Sequence, residues 1–595
     1  MTDLAPDVVG GPEAAQQSKK AGRARGENSR RWTQRRWVLP AAEAVVSVAA
    51  AVGFMLMCMH ISANPFNRIG QVSGLAKVQQ YAAMVGLPVL AVLLYSAYRG
   101  SVQRREVVQR LVCAAIAGLA TGIVAGGIAV ALHGTPWGLG GQEGDPGNLQ
   151  GMANDMMRGK GLPGVYPPGF PAMLAGWAEL RYNGIAGVGY ALKDLQLLLS
   201  ALVGPMSYLA WRMMLRPFWA LAIAVPSAVL FLDPIRPYSH VVMIILVPLL
   251  AACFRDLRQV AERSLRSALL RGVGYGVVFG ALFLWYSGWY VWSAPGVLVM
   301  GLALFPWRRG GQAIKRAVVY LAAILLSAAA VGSPLLYQLV RYGQDTTDRY
   351  AYISTYIDPA YVLGWMSDRS GIFTYQNWPA TGELAGQSGF AVLLIVGFGL
   401  GIGLGLKNMV VRTTAMTLAS AWLLRFWFAS HMAHDQAVQL YPRTTWIIMY
   451  SLMILAVYGL MMLVQRGSGW LGRALESAGA TSVLPSRKGI AQVTAGLICA
   501  VALFATMGAS WNANRYMPDP STNSMGIDAW RAHTLVKENG KCPKFTPVPG
   551  GSCGAVNMQL GQPPRTDPDP RLWCADTWSD EEYRAVCGRK APWLK

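Results

Sequence analysis

The chain has 595 residues, of which 53% are hydrophobic and only 14% charged, and its net charge is +22. A soluble domain carries about 25% charged residues, so this composition excludes an ordinary water-soluble globule. The positive charge sits on short loops between apolar runs rather than on one patch, which argues against nucleic acid as a partner and for a lipid bilayer.

The first 37 residues are polar, basic and rich in Gly and Ala, the composition of a disordered tail. The basic cluster Arg30, Arg31, Arg35 and Arg36 fits contact with anionic lipid. The first apolar run lacks a small-residue cleavage site and has full spanning length, so no cleavable signal is expected.

Thirteen apolar runs follow, each near the length of a bilayer-crossing helix. They are 38–59, 79–98, 111–132, 192–211, 217–232, 239–254, 272–286, 288–306, 317–339, 388–406, 413–430, 444–465 and 489–511. The stretch 272–306 reads equally as one long kinked helix. The expected fold is therefore an all-α integral-membrane bundle spanning 38–511, with a C-terminal segment 512–595. Loops taken alternately from the N-terminus carry 29 Lys and Arg, and the intervening loops far fewer although they are longer. By the positive-inside bias the N-terminus lies in the cytoplasm and the C-terminus outside the plasma membrane.

The intervening, outer loops hold the acids and aromatics. Loop 133–191 opens on Gly134, Gly138, Gly140 and Gly141, then runs Glu143-Gly144-Asp145-Pro146-Gly147-Asn148. Asp145 before Pro146 reads as a helix N-cap. Leu149, Met152, Met156 and Met157 then recur at the spacing of an amphipathic helix lying on the membrane surface. Asp155 fits its polar face. Tyr166-Pro167-Pro168-Gly169-Phe170-Pro171 makes a stiff turn, since proline fixes its own backbone and extends the residue before it. A second short helix, 172–180, follows, and Lys193 and Asp194 read as a snorkelling helix end.

Loop 340–387 is dense in aromatics, among them Tyr350, Tyr352 and Trp365, and carries Asp345 and Asp348. Aromatic faces beside carboxylates suit sugar rings, and an interfacial aromatic belt is the competing reading. The cluster Trp285, Tyr286, Trp289, Tyr290 and Trp292 reads as such a belt or as a groove for the lipid donor. Arg425 lies inside an apolar run, where a charge costs ~2.5–3.5 kcal/mol on insertion scales, so it is expected to face a cavity and a partner. With His431, His434 and Arg443 it could converge on a phosphate, or it could staple helices. His431 and His434, spaced i, i+3 beside Asp435, lack a third metal ligand. No cofactor is called for, and a divalent cation stays open. Cys542, Cys553, Cys574 and Cys587 share the tail and read as two disulfides of unassigned pairing.

No nucleotide-binding glycine pattern is present. An enzyme of the outer face would therefore draw on a polyprenyl-phosphate sugar from the lipid. It needs a carboxylate base, for which Asp145 and Glu143 are the candidates, cations for the departing phosphate, and an apolar groove. Helix capping is the competing role for Asp145.

The Gly-Asp-x-Gly-Asn-Leu stretch at 144–149, the short helix after it and Tyr166-Pro167-Pro168-Gly169-Phe170 resemble the galactan-priming arabinofuranosyltransferase A family of the GT-C superfamily. The resemblance covers mainly the N-terminal two thirds. It implies a GT-C bundle, decaprenyl-phosphate arabinose as donor, a galactan acceptor and inverting transfer. It places the base on an acid of the first large outer loop, which maps onto Asp145, with Glu143 as near alternative. Tyr166 of the proline turn is a candidate substrate contact. The 84 residues 512–595 are shorter than the C-terminal domain of that family. A transferase of another polyprenyl-phosphate sugar such as mannose, and a lipid-linked glycan transporter or flippase, are the alternative functions.

Overall fold

A computed structural model describes residues 37–230, 232–343, 392–435, 444–477, 487–521, 524–537, 539–547 and 553–554. The predicted site residues Tyr350, Tyr352, Trp365, Asp345, Asp348, Arg443, Cys574 and Cys587 lie outside them.

The described chain is helical, and each of the thirteen predicted spans overlaps a helix. In chain order these are α1 (Trp37–Met59), α2 (Arg68–Arg99), α3 (Val102–Ala131), α4 (Gly144–Met157), α5 (Gly169–Tyr182), α6 (Val188–Arg212), α7 (Pro217–Leu230) and α8 (Pro237–Arg258). Next come α9 (Leu265–Trp285), α10 (Gly288–Leu304), α11 (Gly311–Tyr342), α12 (Leu394–Gly405), α13 (Met409–Asp435), α14 (Thr444–Ser477), α15 (Arg487–Asn514) and the short α16 (Ile527–His533). Among the described residues nine helices are long and apolar enough to cross a membrane, and Pro217–Ser227, Gly288–Leu304 and Leu394–Gly405 are shorter apolar ones. The stretch 272–306 is two helices, broken at Tyr286-Ser287.

Local chemistry sets the boundaries. Asn67 accepts from the amides of Ile69 and Gly70 to start α2, Ser264 caps α9 through Ser267, and Pro237 opens α8, where its missing N–H costs nothing. Small residues set the packing, because lipid supplies no hydrophobic drive between helices. Gly272, Gly276 and Gly280 of α9 lie against the backbone of α11, leaving no room for a side chain. Gly118 and Gly122 of α3 do the same against α1. The buried centre is formed by α3, α6, α7, α8 and α14.

Among the described residues, loop 133–191, the turn before α8 and the start of the tail, which charge counting assigns to one face, meet at one end of the bundle. At the other end Glu43 of α1 holds Arg212 of α6 at 2.9 Å and Arg110 of α3 at 3.4 Å. Asp256 there holds Arg263 and Arg271.

Two readings of loop 133–191 are corrected. Glu143, not Asp145, occupies the N-cap of α4, and its side chain makes no cap bond, while Asp145 sits in the first turn. The buried face of α4 is not the methionine stripe but Leu149, Gln150, Ala153 and Asn154, so the helix packs into the protein instead of lying free on the surface. Asp155, half exposed, pairs with Lys160 at 2.8 Å.

Candidate active site

The site is built from three stretches far apart in sequence. Loop 134–143 reaches α4 through Gly140 and Gly141, both at positive φ. At Gly140 a Cβ would also strike the Pro146 ring, so glycine is required there on two counts. Buried Gln196 of α6 ties this loop to the next stretch: its Oε1 accepts from the Leu139 amide at 2.8 Å, and its Nε2 donates to the carbonyls of Leu139 and Ile235, both at 3.3 Å.

The second stretch, Asp233-Pro234-Ile235-Arg236-Pro237, is a polar turn between α7 and α8. Asp233 Oδ1 accepts from the amides of Ile235 and Arg236, fixing the turn. The Arg236 guanidinium then spans two carboxylates. Its Nε lies 3.0 Å from Asp233 Oδ2 and its Nη1 3.0 Å from Asp145 Oδ2. Asp145 and Arg236 keep 34% and 30% of their side-chain surface, whereas Asp233 keeps 10%. The Asp145 pair thus opens outward, and Asp233 lies behind it. Burial pushes the Asp233 carboxyl up, but Arg236 and then His240 outweigh it and hold the group below the usual carboxylate range.

One wall beside this pair is aromatic. The Tyr166 hydroxyl is 2.7 Å from that of Tyr238, and Phe170 stacks on Tyr238 at 4.4 Å between ring centroids. Trp285 meets Phe170 edge-on, and Tyr286 meets Tyr238 the same way. The proline turn therefore does what its stiffness suggested: it seats Tyr166 and Phe170 against the start of α8. Close backbone approach explains Gly169, whose Cβ position is taken by the Leu284 carbonyl.

The third stretch is the tail. Arg531 of α16 reaches Glu143 at 2.9 Å and Asp528 at 3.6 Å. Burial pushes the Asp528 carboxyl up to about 6. Arg531 pulls against that rise, Asp233 adds to it, Arg236 opposes it and Glu143 adds a little more. Its folded value thus lies above the ~3.9 of an unfolded chain, and protonation favours the docked tail. Docking is expected to tighten as pH falls from about 6 towards ~4 and to change little below that. Hydrogen exchange of the α16 amides at pH 5 and pH 7 checks this, and Asp528→Asn should erase the difference.

The disulfide Cys542–Cys553 closes the tail, and Leu535 bridges Gly554 beside it. Cys58, Cys113 and Cys253 are free and buried, and Cys499 is free and half-buried.

Of the predicted phosphate cluster, Arg443 lies outside the described residues, and the other members are placed as follows. Arg425 is fully buried, and its Nη1 donates to Thr444 and Thr445 of α14 at 2.8 and 2.9 Å, joining α13 to α14. His431 and His434 are not on a loop, because α13 runs on to Asp435. The His431 ring stacks on Trp427 one turn back and bonds its carbonyl. One of the partners of Arg425, Thr445, adjoins Trp446, whose ring meets His240 at 4.9 Å. Lys193 does not snorkel; it donates to the carbonyls of Leu132 and Thr135, closing the end of α3, while Asp194 accepts from Trp177 and Tyr182. Trp289 and Trp292 are buried in helix contacts rather than set in a belt, Trp289 donating to Ser239 and Trp292 meeting Phe428. Among the described residues no group of three or more His, Cys, Asp or Glu is placed to hold a metal ion.

Arg236, Asp233, Tyr238, Asp528 and Arg531 were not found from sequence. Arg236 had one signal, as the lone basic residue of a proline-flanked outer turn. Arg531 had none. Compared with protein-family models and with curated proteins, the chain shows no match.

Proposed function

We propose that this chain is a membrane glycosyltransferase that moves a sugar from a polyprenyl-phosphate donor to a glycan acceptor by single displacement, with inversion. The observation that carries the reading is the half-open Asp145–Arg236 pair beside the Tyr166–Tyr238–Phe170 wall, at one end of a bundle of apolar helices. The pair sets a carboxylate and a cation side by side, as the reaction requires. Asp145 takes the proton of the acceptor hydroxyl, and the acceptor oxygen forms a bond to the anomeric carbon. The bond from that carbon to the phosphate oxygen breaks, its electron pair staying on the phosphate, where Arg236 offsets the charge. Arg236 is the cation that stands against Asp145, whereas Arg425 is buried and donates to Thr444 and Thr445. The aromatic wall offers flat apolar faces to the first carbons of the lipid and to the sugar ring.

Arabinofuranose as the sugar, galactan as the acceptor and the GT-C type of bundle rest on the sequence resemblance. Placement of this end outside the cell rests on the charge bias of the loops. Incubating the purified protein with a panel of polyprenyl-phosphate sugars and a galactan oligosaccharide tests the reading. A new glycosidic bond from the pentose donor is expected. A product from the mannose donor alone would move the assignment to that sugar, and movement of lipid-linked glycan without bond formation would replace it by transport.

A further inference from the structure

The described part of the tail is bound to loop 134–143 at several points. The Gly140 amide donates to the Asp528 carbonyl at 2.9 Å. The Trp137 indole donates to the Val536 carbonyl at 2.9 Å, and the Thr135 hydroxyl to that of Ala532 at 3.0 Å. Glu143 stands at the N-cap of α4, yet its carboxylate makes no cap bond and goes to Arg531 instead. The backbone of an N-cap residue directs the first turn that follows, and Asp145 lies two residues on.

From this we infer that Arg531 is a positioning residue: the tail, through its hold on Glu143, sets the first turn of α4 so that Asp145 meets Arg236. The inference deepens the transferase reading and rests on it. Glu143 and Arg531 keep 63% and 37% of their side-chain surface, so the pair adds little to folding. Its loss should therefore act through position.

The test uses the full-length protein in lipid nanodiscs carrying Arg531→Gln or Arg531→Lys. Each is measured for transfer from a polyprenyl-phosphate pentose to a galactan oligosaccharide. Each is also made in a Gln142→Cys background, where alkylation of the introduced thiol is followed by mass spectrometry without need of activity. Arg531→Gln is expected to lower kcat about 2–5-fold, as far as an exposed pair can shift the loop, with donor KM nearly constant. Alkylation should quicken several-fold, and Arg531→Lys should restore most of both. Unchanged alkylation, or faster alkylation with unchanged kcat, overturns the inference. If wild-type protein transfers nothing, the transferase reading falls, and with it the catalytic meaning of the position, while alkylation still reports whether Arg531 holds the loop.

Discussion

Asp145→Asn should lower turnover ~10²–10⁴-fold, the contribution of a general base, with the fold preserved. The amide keeps the shape of the carboxylate and can still accept from the Arg236 Nη1 now 3.0 Å away, but it cannot carry off a proton. About a third of each side chain is exposed, so the ion pair contributes only ~0–1 kcal/mol. The melting temperature should then move by about 2 °C or less. Turnover and melting of the same preparation settle the matter together. Normal turnover in Asp145→Asn with a collapse in Glu143→Gln would transfer the base to Glu143.

Arg236→Ala should be the more damaging change, because it touches both activity and stability. On the proposed mechanism it removes the cation that offsets the leaving phosphate, and it strips Asp233 of its counter-charge. Breaking a fully buried pair costs ~3–5 kcal/mol. The two amides that still bond Asp233 Oδ1 soften the loss, so about 2 kcal/mol is expected. The pH dependence should also change sign. In the wild type the Asp233 carboxyl lies below its usual range. Its stabilisation is present above the unfolded value of ~3.9 and fades as pH falls through the folded value. Without Arg236, burial is the leading influence left and raises the group, so this carboxyl favours the fold at low pH and weakens it as pH rises. Between pH 4 and pH 8 this group should leave wild-type melting level and make that of Arg236→Ala fall with rising pH, and the wild-type loss should come only below ~3.9. Arg236→Lys keeps the charge but lacks a planar fork to reach two carboxylates, so it should fall between.

The helices were legible because a bilayer-length apolar run has few other uses, and spans as different as α2 and α8 were both evident as such. The misreadings share a cause. Gln150 and Asn154 face inward on α4, so a search for apolar periodicity picked the methionines instead. The helix of His431 and His434 was cut short because its last turn is polar, although the backbone continues. Asp145 could be named from its local pattern, but its partner could not, since Arg236 lies 91 residues away in a turn that read as punctuation. Arg425 stands out because charge in an apolar run is costly, and two of the groups that answer it are the hydroxyls of Thr444 and Thr445 on the next helix. Composition flags a buried charge without saying what answers it.

The dispersal of Glu143, Arg236 and Arg531 along the chain has a consequence for biogenesis. A ribosome makes Asp145 long before Arg236, and Arg531 nearly four hundred residues after Glu143. Each contact is therefore a long-range closure made late. A nascent chain halted before α16 carries Asp145 and Arg236 but not the arginine that holds Glu143, so arrested translation products should work more slowly than the finished chain even where every preceding helix has been inserted.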